Sequence, residues 1–283
     1  MPSHRLSKLT VKDYEITGYS VAGEETVVAV PKLDICFDIG KAPEQFIPIN
    51  NLLISHGHID HTAGIAYYLS HRQFCGIAAG KVYLPKHLVE PVNKMIEIWG
   101  NIDGTKIPEC LIGVSGGDEY KIKPNLSVKV FKTKHCYGSV GYTAVEKRTK
   151  LKKEYVGLDA QELVKLKKEG VNIERQLEIP LVSYLGDTQI TDYSQLDFVA
   201  KSKILIVECT FFEYENNHRA DAGKHMHVET LSQLLEPLEN EHIIITHLSQ
   251  RTSIREAKKL IKQKLPADIY SKIILLMDRQ NRK

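Results

Sequence analysis

Directly after the apolar stretch 51–54, the chain reads Ser55-His56-Gly57-His58-Ile59-Asp60-His61. Three imidazoles and one carboxylate within six residues form a donor set suited to a borderline-soft divalent cation such as zinc. The alternate spacing of His56 and His58 lets both rings address one ion from a tight loop, while Asp60 and His61 turn toward a second position. One short run cannot easily put all four donors around a single tetrahedral ion, so two adjacent cations are the natural reading. The bland alternative is a histidine-rich surface loop. Four ligand-type residues in this order behind an apolar strand argue against it, and the spacing of a structural zinc finger is absent.

Two cations need more donors, and candidates stand where strand-like runs end. His135 follows the run 126–131, Asp187 follows 179–185, and His247 follows 242–246. Each alone reads as an ordinary core or surface residue. Together they form a pattern, because side chains at the ends of successive strands can converge on one edge of a sheet. A carboxylate such as Asp187 can bridge two ions.

The elements that must carry these donors are mostly β. Runs 25–30, 33–37, 51–54, 126–131, 179–185, 204–207, 242–246 and 273–277 are rich in Val, Ile or Tyr, and most end near Gly, Asp or His, as strands do. Helical patterns lie between and after them. In 157–170, Asp159 and Glu162 are spaced as a capping box, Leu158 and Leu163 as a hydrophobic staple, and Gly170 closes the far end. Leu231, Leu234, Leu235 and Leu238 share one helical face, which Pro237 cuts short. Ser253 and Glu256 cap a further helix carrying Ile254, Ala257, Ile261 and Leu265. The expected class is α+β, with sheets sandwiched between helix layers.

The composition suits such a fold. The chain has 283 residues, 42% hydrophobic and 26% charged, a globular balance that excludes disorder and fibres. No repeat, low-complexity tract or linker divides it, so 1–283 reads as a single domain. No apolar run approaches the ~18 residues of a membrane span, and the N-terminus lacks the apolar centre of a signal peptide. Cys36, Cys75, Cys110, Cys136 and Cys209 are scattered without a Cys-x-x-Cys, which points to reduced thiols and a cytoplasmic location. The net charge is only +3, so any case for nucleic-acid binding must rest on local clusters. Residues 147–168 are such a cluster, with eight basic and three acidic side chains. A patch of that kind draws phosphates, although a solvated lysine-rich helix face has the same composition. A basic helical insert is expected around 147–178.

Later blocks extend the pattern begun by the histidine run. They are Thr133-Lys134-His135 with Ser139-Val140-Gly141-Tyr142, the stretch 152–158 with Glu162-Leu163 and Gly170-Val171, Glu208-Cys209-Thr210-Phe211, Lys224-His225-Met226-His227, and His247-Leu248-Ser249-Gln250-Arg251. In this order they resemble the metallo-β-lactamase superfamily and, within it, the short form of tRNase Z (ribonuclease Z). The histidine run is shared with glyoxalase II and other zinc hydrolases, so it fixes the superfamily, and the later blocks narrow it. The similarity spans 18–251 and is closest to short plant-type enzymes. Three features depart from the family. Where short bacterial members carry a Pro-Thr-x-x-Arg-Asn-type stretch, this chain reads Tyr19-Ser20-Val21-Ala22-Gly23-Glu24-Glu25-Thr26. The long Gly/Pro-containing arm that grips the tRNA elbow has no evident counterpart, an ordinary segment at 81–117 taking that interval. Thr252 stands where the family often has an aromatic residue.

The resemblance implies a four-layer αββα sandwich of two mixed β-sheets flanked by helices, and two Zn2+ per chain. One zinc would be held by His56, His58 and His135, the other by Asp60, His61 and His247, with Asp187 bridging. Glu208 and a histidine of the next loop would handle a proton, His225 by register and His227 as the fallback. Asp60 would also orient a water or accept its proton. The implied activity is a zinc-dependent endoribonuclease that removes the 3′ trailer from precursor tRNA, and the implied assembly is a homodimer. The alternative, favoured by the missing arm, is a related zinc phosphodiesterase acting on small or cyclic nucleotide phosphodiesters. A glyoxalase-type thioesterase has no use for the Glu208 and His225 blocks. An RNA-binding or metal-storage protein has no need of a full hydrolytic set.

Overall fold

Among the described residues, 6–213, 217–278 and 280, the computed structural model has fourteen strands in two sheets of seven. The first sheet holds β1 (Ser7–Val11), β2 (Tyr14–Val21), β3 (Glu25–Val30), β4 (Ile35–Phe37), β5 (Asn51–Leu53), β6 (Lys81–Pro85) and β7 (Leu111–Val114), side by side in chain order. The second holds β8 (Glu119–Lys123), β9 (Leu126–Lys132), β10 (Val140–Leu151), β11 (Glu174–Tyr184), β12 (Ile204–Glu208), β13 (His242–Thr246) and β14 (Ile273–Leu275), again in chain order. In both, the first four strands pair antiparallel and the last four parallel. A repeat that left no trace in the residues is therefore present in the topology.

The helices are α1 (Ile59–Thr62), α2 (Ile65–Phe74), α3 (Val89–Asp103), α4 (Ala160–Lys168), α5 (Asp197–Ala200), α6 (Asn217–Gly223), α7 (Val228–Leu235), α8 (Ile254–Lys264) and α9 (Ala267–Tyr270). One apolar core lies between the sheets and joins Val28 and Phe37 of the first to Val182 and Tyr184 of the second, with Ile65, Tyr68 and Leu69 of α2 packed into the same cluster. A second core seats Leu231, Leu234 and Leu235 of α7 and Ala257 and Ile261 of α8 on Leu205, Val207 and Ile245. The layers thus run α, β, β, α, as the resemblance implied. β12 and β13 read as unbroken apolar runs because both their faces are covered, which is usual for parallel strands.

Two segments differ from the sequence reading. The stretch 147–178, expected as a helical insert, is helical only at α4 and for one 3-10 turn (Lys153–Tyr155); its flanks are the outer halves of β10 and β11. There the charge run pairs across strands, with Lys147 opposite Glu178, so a sequence that resembles a solvated helix is held as ribbon. α4 itself opens with the predicted capping box, Asp159 accepting from the Glu162 N–H and Glu162 reaching back to the Asp159 N–H. The segment 81–117 is β6, α3 and β7. α2 is fixed by Arg72, which is fully buried and donates to the Ile47, Ile49 and Ala78 carbonyls and to Asn50 Oδ1. That bracing holds the segment feeding β5, and through it the histidine run.

Candidate metal centre

Parallel strands release their C-terminal ends on one edge, and the donors of this chain leave from that edge. β5 ends at Leu53, and the run from Ser55 opens into α1, with His58 as the residue before the helix and Asp60 and His61 within it. His135 follows β9, Asp187 follows β11, Glu208 is the last residue of β12, and His247 follows β13. Gly186, at φ 61°, lets β11 turn toward the run. A Cβ there would lie 2.7 Å from the Cβ of Ser55. His247 occupies the same left-handed region at φ 59°, an uncommon conformation for a side-chain-bearing residue, and its N–H donates to Ser20 Oγ at 2.9 Å.

The side chains meet around Asp187. Its Oδ2 lies 3.7 Å from His56 Nε2, 3.3 Å from His61 Nε2, 3.9 Å from His135 Nε2 and 3.4 Å from His247 Nε2. Asp60 Oδ2 lies 3.8 Å from His61 Nε2 and 3.7 Å from His247 Nε2, and His58 Nδ1 lies 3.2 Å from His135 Nε2. Among the described residues the donors fall into three groups, one of His56, His58, His135 and Asp187, one of Asp60, His61 and His247, and one of Asp187, His225 and His247 that shares a member with each of the others. Donors sharing a zinc ion at ~2.0–2.1 Å in tetrahedral geometry stand about 3.3 Å apart, and these separations scatter around that value.

Whether the group fits a cation is decided by atoms that nothing else satisfies. The Nε2 atoms of His56, His61 and His247 are buried and have no hydrogen-bond partner among the described residues. Their Nδ1 atoms are engaged, with Ser55 Oγ at 3.0 Å, Asp38 Oδ2 at 2.8 Å and Thr210 Oγ1 at 2.8 Å. His135 Nδ1 lies 3.2 Å from the Lys224 carbonyl. An imidazole steered from one nitrogen with the other left bare is the arrangement of a metal ligand. The residues present therefore fit divalent cations.

The electrostatics agree. Burial first, and the neighbouring rings next, hold His56 neutral far below the usual range of histidine, partly offset by Asp187. Burial likewise lowers His58 and His135, which leaves lone pairs for a cation. Burial opposes the charge on Asp187 and Asp60, but the surrounding imidazoles outweigh it; Asp187 lies well below the carboxylate range and Asp60 falls to about 2. His61 goes the other way, because Asp187 and Asp38 overcome its burial.

Beside this cluster stands a second pair. Glu208 is fully buried and accepts from the Thr188 N–H at 2.8 Å, from Thr210 Oγ1, and from His225 Nδ1 at 2.9 Å. Burial works against a charged His225, yet Glu208 and Asp187 push its pKa up to about 9. The structure puts His225, not His227, against Glu208. His227 turns away, its Nδ1 accepting from the Glu229 N–H to cap α7 and its Nε2 bonding to the Glu213 carbonyl. Both groups open on a cleft of about 410 Å3, lined also by Gly23, Phe211, Arg219 and Arg251.

Comparison with known proteins identifies the scaffold. Residues 34–248 match the model of the beta-lactamase superfamily domain. The chain is 33% identical over 273 residues to tRNase Z TRZ1 of Arabidopsis thaliana, covering 95% of this chain and 96% of that protein. This chain belongs to the tRNase Z family. It is also 30% identical to the chloroplastic tRNase Z TRZ2 of the same plant, covering 95% of this chain and 76% of the relative. Among solved structures, human short-form tRNase Z (ELAC1) superposes with a TM-score of 0.60 at 16% identity, covering 92% of this chain and 95% of that one. The metallo-beta-lactamase fold protein YhfI of Bacillus subtilis superposes at 0.62 and 15%, covering 90% and 92%. As in this family, the enzyme is a metal-dependent hydrolase.

The sequence reading missed several residues of this tRNase Z site. Asp38, at the end of β4, accepts from the Ser55 N–H (2.8 Å), Ser55 Oγ (2.9 Å) and Tyr184 OH (2.6 Å) besides meeting His61. The signal that found Asp187, a carboxylate closing an apolar run, was present at 33–37 as well. Ser20 and Arg219 had no such signal, since each reaches the site from a segment remote in the chain.

Proposed function

We propose that this chain is a zinc-dependent endoribonuclease that removes the 3′ trailer from precursor tRNA. The observation that carries this reading is the convergence of seven donors, three with bare buried Nε2 atoms, beside the Glu208–His225 pair in a tRNase Z scaffold. His56, His58 and His135 would hold one Zn2+, Asp60, His61 and His247 the other, with Asp187 shared. Two such ions, when bound, lower the pKa of a water and neutralise charge developing on a phosphate.

The chain's own groups supply the rest. Asp60, whose Oδ2 accepts from the Gly23 N–H at 2.9 Å, orients the attacking water or accepts its proton. As that oxygen bonds to phosphorus, the bond to the tRNA 3′-oxygen breaks. His225, kept protonated by Glu208, gives its proton to that leaving oxygen. The products are a tRNA 3′-hydroxyl and a trailer with a 5′-phosphate.

Substrate contact extends to the β10–β11 ribbon. Within 147–168, Lys147, Arg148 and Lys167 are paired with Glu119, Glu146 and Glu174, whereas Lys150, Lys152, Lys153, Lys165 and Lys168 have no ion-pair partner among the described residues. The unspent charge lies along the ribbon and α4, and it serves the RNA backbone. In this reading 1–283 is one catalytic domain with 147–178 as its RNA-contacting insert, working as a homodimer. No helix among the described residues is long and apolar enough to cross a membrane, and all five cysteines are free thiols, which suits the reducing cytoplasm. Metal analysis followed by incubation with a 3′-extended tRNA transcript tests the proposal. About two metal ions per chain and a cut after the discriminator base support it. Turnover of small phosphodiesters with an intact transcript refutes it.

A further inference from the structure

The cations that the convergent donors would hold account for contact with a phosphate; they do not account for Tyr137. Its side chain stands two residues beyond His135 and is 83% exposed, and its hydroxyl has no hydrogen-bond partner among the described residues. Exposed aromatic residues scattered singly are common on protein surfaces. This one is built into place. The Ser139 N–H donates to the Cys136 carbonyl at 3.2 Å, closing a turn whose third residue, Gly138, takes φ 70°. A Cβ on Gly138 would lie 2.5 Å from Cε1 of His87, so the glycine also admits the imidazole beneath the turn. His87 packs edge-on against the Tyr137 ring, with centroids 4.9 Å apart and planes at 67°. The next residue, Leu88, covers Gly57 of the histidine run, where a Cβ would be 3.1 Å from Leu88 Cδ2. Tyr137 therefore stands on the segment that carries His135, and its partner His87 adjoins the residue that covers the loop between His56 and His58.

The substrate offers a complement. Beyond the acceptor stem the strand is unpaired, so the bases adjoining the scissile phosphate have free faces. An enzyme that must accept many trailers gains from a contact that ignores base identity, and aromatic stacking is such a contact because every base has a π-face. We propose that Tyr137, steadied by His87, is a stacking platform for an unpaired base next to the scissile phosphate. The proposal rests on the nuclease reading above and adds a binding residue to it.

The test uses the zinc-loaded enzyme and a 3′-extended tRNA transcript carrying 2-aminopurine, at the discriminator position in one version and at the first trailer nucleotide in the other. Single-turnover mixing records fluorescence quenching on binding and then cutting. The wild-type enzyme is expected to quench one version, which identifies the base that stacks. Tyr137→Ala is expected to abolish that quench and to raise KM about tenfold, with kcat changed less than about twofold. Tyr137→Phe and Tyr137→Trp are expected to retain the quench and a KM near that of the wild type, since the ring acts and the hydroxyl does not. A Tyr137→Ala variant with wild-type KM and quench, or a wild-type enzyme that quenches neither version, overturns the platform while leaving the nuclease intact. Quenching lost in Tyr137→Ala, with no cutting by any form, supports the platform and sinks the nuclease reading instead.

Discussion

Asp38 and His61 meet at 2.8 Å in a place where neither side chain reaches solvent. The carboxylate fixes the ring from Nδ1 and so aims Nε2 at Asp187. Ser55 and Tyr184 also donate to it, which ties the histidine run to β4 and β11 through one buried anion. Asp38→Asn keeps the shape but removes the charge and one acceptor. Zinc affinity is expected to fall about 10- to 100-fold, measured by competition with a chromogenic chelator. An Asp38→Asn enzyme with unchanged affinity would show that the contact serves only packing.

Removing the metal should cost stability as well as activity. The Nε2 atoms of His56, His61 and His247 are buried polar groups without a hydrogen-bond partner among the described residues, and a bound cation would satisfy them. A ligand at a hundred times its Kd stabilises by ~2.7 kcal/mol, so dialysis against a chelator is expected to lower Tm by about 5–10 °C. Returning zinc should restore both Tm and transcript cleavage. Equal melting of the stripped and loaded chains contradicts the assigned site.

The sequence made the strands leading to the site legible because they are apolar on both faces or end in a telling residue. β13 matches the expected run 242–246 residue for residue, and Ser253 caps α8 as its spacing foretold. β1 was missed although its burial alternates, because SKLTV is short and half polar. α3 was missed because Ile98, Trp99 and Ile102 face outward and blur its apolar stripe. The end of β10 from 147 onward falls in the expected helical insert because it is a charge run, and only its pairing with β11 decides between ribbon and helix. In the site, the histidine run and the strand-end donors were visible as types at positions. Asp38 closes an apolar run as Asp187 does, but one Asp after a run of five resembles any turn until His61 is found against it.

In the proposed mechanism the two histidines of the segment 224–227 divide a chemical role from a structural one. Glu208→Gln keeps an acceptor for Thr188 and Thr210 but withdraws the charge that holds the His225 proton. It is expected to lower kcat about 10²- to 10⁴-fold, as is His225→Ala. The double variant should be little worse than either single change, because the two act as a unit. His227→Ala, which unmakes the cap of α7, is expected to cost about 1–2 kcal/mol in denaturant unfolding while kcat stays near that of the wild type. A kcat that collapses in His227→Ala but survives in His225→Ala reverses the assignment.

Salt dependence tests the ribbon. Each lysine–phosphate contact contributes roughly 0.7–0.9 to the slope of log affinity against log salt. Lys150, Lys152 and Lys153 have no ion-pair partner among the described residues, so their ammonium groups are available to RNA. Lys147 is engaged by Glu119 at 2.5 Å and Glu178 at 3.7 Å. Replacing the first three by Ala is expected to flatten the slope by about 2 and raise KM for precursor tRNA at physiological salt, measured by filter binding and cleavage across a salt series. Lys147→Ala should change the slope by well under 1, because its charge is already neutralised within the protein. If the triple variant keeps the wild-type slope, the ribbon does not touch the RNA, and the local surplus of basic residues is a solvated surface.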